Sequence, residues 1–383
     1  MDPELSKMMK QASKIVDYYD YLQQHTFYLL IDAFKKHKGI LTRADDKSIL
    51  EWRLKALAEM GGLTDKVVDF IAKNIGYSKQ AIYDLIQGQG LTVAKRMNSE
   101  LSTALKQPMR GVSDDTVAII NAYADQTFRN VNNYVNQTLL TTNVQKNSAL
   151  KTYQQIVDKT VLDVSTGNKT ADRALKDNIL QWYDKGLPTS LTDRGGHEWT
   201  LEGYTRTVIT STTHRVFNEA RAQSMKEFGS VLATMSSHPA ARPACAPIQG
   251  KVVCIVPKSD PKADLSYPNI YDYGYGKPAG TQGINCSHIL YPYIKGVSHN
   301  FQKHYDPKQA VKNAKIQQQQ RYYERSIRHL KYKKELAERD EDPESVRKLN
   351  QSIRGYQAKL RKIVKDNDFL ARQYDREQIV KAD

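Results

Sequence analysis

Residues 343–363 read PESVRKLNQSIRGYQAKLRKI, and their apolar positions set the architecture of everything around them. Val346, Leu349, Ile353, Tyr356, Leu360 and Ile363 advance by 3, 4, 3, 4 and 3 residues, the a/d rhythm of a helix with one apolar seam. Pro343 suits the first helical position, and Asp342 before it supplies the cap for the unpaired amide groups. Upstream, Ile316, Tyr323, Ile327 and Leu330 mark a helix ending near Asp340. Two long helices joined at a charged turn predict a helical hairpin, or a bent rod whose seam takes a partner. The Gln317–Gln320 tract is ordinary helix surface.

Working back toward the N-terminus, residues 1–185 read as a succession of helices. Ile15, Tyr18, Tyr19, Leu22, Leu29, Leu30 and Phe34 recur at helical spacing, and Gly39 is read as the end of that pattern. A second helix carries Leu50, Leu54, Leu57 and Met60 and is expected to stop at Gly61-Gly62. Thr64 and Ser78 stand where N-caps are expected, with Gly76 and Gly88-Gln89-Gly90 as stops. Ser113-Asp114 opens another helix, and a further pair is expected over 145–164 and 170–184.

The texture changes at Gly186, and Gly195-Gly196-His197 reads as a loop. From Trp199 to Phe228 the pattern is one long helix closed by Gly229. Prolines and glycines then punctuate short strand-like runs at 230–235, 251–256 and 289–293. The fold class is therefore mainly α, in three parts. These are an extended N-terminal helical region (1–185), a compact Pro/Gly-rich α+β module (186–298) and a basic C-terminal helical hairpin (299–383).

Over 383 residues, 57 Lys+Arg stand against 42 Asp+Glu, a net charge of +15. Residues 299–383 hold 21 basic and 13 acidic side chains, so +8 of that surplus lies in the final part. Mixed-sign helices give a solvated face with weak i,i+4 pairs; the same charge also suits contact with double-stranded DNA. Candidate phosphate contacts are Arg321, Arg325, Arg328, Lys331, Lys334, Arg354, Arg361 and Lys362. No apolar run approaches the roughly 18 residues of a membrane-spanning segment. MDPELSKMMKQ has no secretory h-region, and three cysteines suit synthesis in a reducing cytoplasm rather than a disulfide scaffold.

The module carries the distinctive motifs. They are WTLEGYTRTVITSTTHRVFNEARAQSMKEFG from Trp199, SSHPAARPACAPIQGKVV from Ser236 and YGYGKPAGTQGINCSHILYPYIKG from Tyr273 to Gly296. Together they resemble the phage minor capsid protein 2 family, itself similar to the Mu F-like head morphogenesis domain. The resemblance rests on Trp199, His238, Arg242, Pro243, Gln249, Gly250, Asn285, Cys286, His288 and Gly296 in that order. Ser287 stands where the family usually has Arg, and Ile248 where it favours an aromatic residue. The resemblance implies a non-enzymatic minor head component of a tailed phage, located in the virion at the portal or inner capsid. It would serve head assembly and genome packaging or ejection. The implied partners are the portal protein and other capsid or head proteins, with self-association through the helical arms.

The residues themselves leave other chemistry open. Cys245, Cys254, Cys286 and His288 offer a Cys3His set for zinc, although the Cys245–Cys254 spacing is unlike a tight zinc knuckle; otherwise the cysteines are buried packing residues and no cofactor is needed. Cys286 and His288 lie on one side of an extended strand and could instead serve a cysteine hydrolase of the host envelope, with His214 or His238 as base. A sequence-independent DNA-binding accessory protein delivered with the genome is the third reading. Arg242 between loop prolines is read as a brace for backbone carbonyls, and Arg206 and His214 share one side of a helix. Tyr267, Tyr271, Tyr273 and Tyr275 beside Lys277 form either a contact surface or a self-packed loop.

Overall fold

A computed structural model describes residues 2–41, 45–135, 148–185, 199 and 201–379. It is mainly α-helical. The loop expected at Gly195-Gly196-His197, the change of texture at Gly186 and the start of the helix expected at 145 lie outside the described residues.

Helix α1 (Pro3–Lys35) starts where Asp2 accepts a hydrogen bond from the Glu4 amide at 3.0 Å and Pro3 takes the first position. Leu5, Met8, Ala12, Ile15, Val16, Tyr19 and Leu22 give it one long buried stripe. The short α2 (Lys38–Leu41) and α3 (Asp46–Ala58) follow, then α4 (Met60–Tyr83), a π-helical turn (Asp84–Gly88) and α5 (Gln89–Leu105). The glycine stops expected here are wrong. Gly61-Gly62, Thr64, Gly76 and Ser78 all lie inside α4, and the chain stays helical through Gly88-Gln89-Gly90. Each glycine costs a helix about 1 kcal/mol, and tertiary packing outweighs that. Gly90 has a further reason. A Cβ there would stand 2.9 Å from Val216 Cγ1 and 3.0 Å from Ile120 Cγ2, so its bare backbone lets α5 approach its neighbours.

Helix α6 (Asp114–Val135) opens as expected at Ser113, whose hydroxyl accepts from the Thr116 amide at 3.2 Å. Then come α7 (Ser148–Ser165), α8 (Ala171–Lys185) and the long α9 (Leu201–Glu227), closed by Gly229 in the left-handed region at φ 73°. A continuous apolar core runs from α1 through these helices to Tyr332 and Leu336.

Three short antiparallel strands form a sheet of order β2-β1-β3: β1 (Leu232–Met235), β2 (Val252–Cys254) and β3 (Leu290–Pro292). Leu232 pairs with Cys254, and Thr234 with Tyr291. A second core under this sheet joins Met97 and Leu101 of α5, Met225 of α9, Val253, Leu290, Cys245 and Cys286.

Helices α10 (Pro307–Arg339) and α11 (Pro343–Lys365) make the hairpin. Asp342 caps α11 by accepting from the Ser345 amide at 3.2 Å. Leu349, Ile353 and Leu360 are buried, and Ile353 and Leu360 pack on Ile327 with Tyr323, Tyr356 and Ile363 beside them. The heptad seam is thus satisfied within the chain. Asp20 of α1, 5% exposed, binds the hairpin to the body. It accepts from the Tyr332 hydroxyl at 3.1 Å and lies 3.8 Å from both Arg206 of α9 and Arg328 of α10.

Candidate functional site

The motif residues of the module converge on one buried knot. Arg242 spans its outer side, donating to the carbonyls of Pro278 (3.3 Å), Gly280 (3.4 Å) and Ile284 (2.5 Å). Pro243 begins the turn that follows, in which the amides of Cys245 and Ala246 return to the Arg242 carbonyl. That turn delivers Gln249 to the interior and ends at Gly250, whose φ of 74° and close approach to the Lys303 carbonyl exclude a side chain. From the other direction, Asn285 takes a left-handed φ of 57°, and its amide donates to Ser211 of α9 at 3.2 Å. The bend carries Cys286 and His288 inward before β3. Gly296, at φ 82°, turns the chain after β3. Trp199 lies outside the knot, its ring 6.3 Å from Tyr204, and the helix begins at Leu201.

At the centre, Cys245 Sγ and Cys286 Sγ are 3.9 Å apart, and Cys286 Sγ lies 3.6 Å from His288 Nδ1. Cys245, Cys286 and His288 are 0%, 4% and 3% exposed. The tautomer of His288 follows from its neighbour. Gln249 Oε1 accepts from the His238 amide at 3.0 Å, which fixes the orientation of the carboxamide. His288 Nε2, 3.1 Å from the same oxygen, must then carry the proton, and Nδ1 turns its lone pair toward Cys286. The Cys245 thiol shares its hydrogen with Cys286, which lowers the Cys286 pKa and raises that of Cys245. Burial opposes the first shift and adds to the second.

Two further histidines face this group. The His238 ring sits edge-on to His288 with centroids 4.6 Å apart. Burial pushes its pKa down to about 4, and its Nε2 is buried without a hydrogen-bond partner. His214 of α9 is 9% exposed, its pKa is also lowered by burial, and its Nδ1 has no hydrogen-bond partner.

Cys254 does not join this group, which corrects the four-ligand set drawn from the sequence. Side chains alternate along β2, so Val253 enters the core under the sheet while Cys254 packs on the other side with Leu232 and Val256. Sequence reasoning also missed what orients His288. Asn218 of α9 and Gln282 both donate to the His288 carbonyl at 3.0 Å, and the Asn218 side-chain oxygen accepts from the Leu290 amide. Only the polar side chain at Asn218, on a face that proves buried, hinted at this.

The tyrosine loop is partly self-packed. Tyr271 and Tyr275 lie 5.1 Å apart, and Tyr275 reaches Glu219 of α9 at 3.5 Å. The eight basic candidates fall into two groups. Arg325, Arg354, Arg361 and Lys362 are exposed. Arg321 pairs with Glu324, Lys334 with Glu338, and Lys331 donates to Gln378. Arg328 is buried, bound to the Arg376 carbonyl and close to Asp20, so it is an internal tie and not a phosphate contact. No helix of the described residues is long and apolar enough to cross a membrane.

The model of the family described as phage minor capsid protein 2 matches residues 3–365. A structural protein of Lactococcus phage LL-H is 53% identical over 361 residues, covering 94% of this chain and 97% of its own length. A structural protein of Lactococcus phage mv4 is 58% identical over 120 residues, 31% of this chain and 98% of its own. No solved structure matches. A match running from the first helix into the end of the hairpin covers fold and motifs together: the chain belongs to the phage minor capsid protein 2 family and is a structural phage protein.

Proposed function

We propose that this protein is a minor component of the phage head that docks at the portal or inner capsid through its helical body and turns its C-terminal hairpin toward packaged DNA. The observation that carries this reading is the composition of α11. Its 23 residues hold Arg347, Lys348, Arg354, Lys359, Arg361, Lys362 and Lys365 against the single acid Glu344. All seven cations are exposed, because Leu349, Ile353 and Leu360 hold the other side of the helix against α10. A rigid cationic face of this kind contacts phosphates without reading bases. The partners are the portal protein and other head proteins, and the docking serves assembly and genome packaging or ejection. The buried Cys286 and His288 support an architectural use of the module over a hydrolytic one, since a nucleophile must meet its substrate.

Gel-shift titration of the full chain on duplex DNA at several salt concentrations tests the cationic face. With Arg354, Arg361 and Lys362 all changed to Gln, affinity should fall at least tenfold, and the slope of log K against log salt should shrink by about 3. Unchanged affinity and slope would remove α11 from any DNA contact.

A further inference from the structure

Two thiols and an imidazole meet in the module with donor atoms that all lie within 4.8 Å of one another. Zn²⁺ binds thiolate sulfur at about 2.3 Å and imidazole nitrogen at about 2.0–2.1 Å, so tetrahedral ligation places S and S about 3.8 Å apart and S and N about 3.6 Å apart. The observed edges are 3.9 Å for Cys245–Cys286 and 3.6 Å for Cys286–His288. A disulfide would need about 2.05 Å between the sulfurs. Both cysteines are free, and their separation matches shared coordination.

The surroundings agree independently. His288 turns the lone pair of Nδ1 to the sulfurs while Nε2 donates to Gln249 Oε1, the outer carbonyl partner that metal-bound imidazoles characteristically have. Asn218 and Gln282 fix the backbone of the same residue through its carbonyl. The His238 ring lies against His288 and has a buried Nε2 that no protein group satisfies. Its nitrogens fall outside the 4.8 Å donor set, so His238 lines the site without belonging to it.

We propose that Cys245, Cys286 and His288 form a structural Zn²⁺ site that staples the turn after Arg242 to the segment entering β3. Binding releases the two thiol protons to solvent. Zn²⁺ with two thiolates and a neutral imidazole is a net-neutral group, which suits this burial. The three ligands come from two separate loop segments, so the role of the ion is to hold a strand-poor, loop-rich module in one shape.

The test uses the full chain, purified under reducing conditions, with metal content measured by mass spectrometry and Co²⁺ as a spectroscopic probe. One Zn²⁺ per chain is expected, with a thiolate-to-cobalt charge-transfer band and tetrahedral ligand-field bands on exchange. Chelation should lower the melting temperature, and added Zn²⁺ should restore it. Cys254→Ser should retain full stoichiometry, whereas Cys286→Ser should weaken affinity more than a hundredfold. A wild-type chain that takes up neither Zn²⁺ nor Co²⁺ overturns the proposal whatever the variants do, as does loss of metal in Cys254→Ser but not in Cys286→Ser.

Discussion

Asp340 shows at the scale of one residue how burial becomes a pH response. It follows the last turn of α10, is 4% exposed, and burial raises its carboxyl pKa to about 6, only partly offset by Lys38, Lys176 and Lys35. The native chain therefore binds a proton here that the unfolded chain has already released. The contribution to stability is fully present below about pH 4 and is lost as pH rises through about 6, amounting to at most about 3 kcal/mol. Asp340→Asn removes the titration. Melting curves should show the variant gaining on the wild type as pH rises from about 4 to 7, and parallel curves would contradict the assignment. The cysteine–histidine knot was partly legible at this scale. Cys286 and His288 share a face because they are two residues apart on extended chain. Cys254 could not be sorted from Cys245, because the pairing that turns it away, Leu232 with Cys254, is a long-range register. Gln249 was legible as a motif residue but not as the partner that sets the tautomer of His288.

At the scale of elements, the helices best read from sequence were those with a single apolar stripe, α1 and above all α11. The seam rhythm predicted the hairpin because α11 packs chiefly on α10, so its burial pattern stays periodic. Reading glycine as punctuation misplaces the ends of α4 and α5, because in a helix packed on several sides glycine also serves close approach. Two glycines separate these effects. Gly355 of α11 has nothing within 4 Å of its missing Cβ, so Gly355→Ala should stabilise the chain by roughly 0.5–1 kcal/mol. Gly90→Ala gains the same helix propensity but drives a methyl into the branched carbons of Val216 and Ile120, and should instead destabilise by about 1–2 kcal/mol. Equilibrium unfolding of both variants checks the pair. A stabilised Gly90→Ala would show that α5 and α9 have room to separate.

At the scale of the molecule, the hairpin shares the apolar core of the helical body through Tyr332, Leu336 and Leu349, and Asp20 ties α1 to α9 and α10. Composition could count a net +8 in residues 299–383 but could not place it. The fold does so by turning Arg328 inward and leaving Arg354, Arg361 and Lys362 outside. That division underlies the central claim, that a structural phage protein fixes a basic face toward the genome. Photochemical protein–DNA cross-linking in purified DNA-filled heads, with peptide mapping of this chain, tests it most directly. Cross-links should concentrate in 343–365 and vanish from heads emptied of DNA. Absence of the chain from heads, or cross-links confined to other segments while 343–365 stays free of DNA, would contradict it.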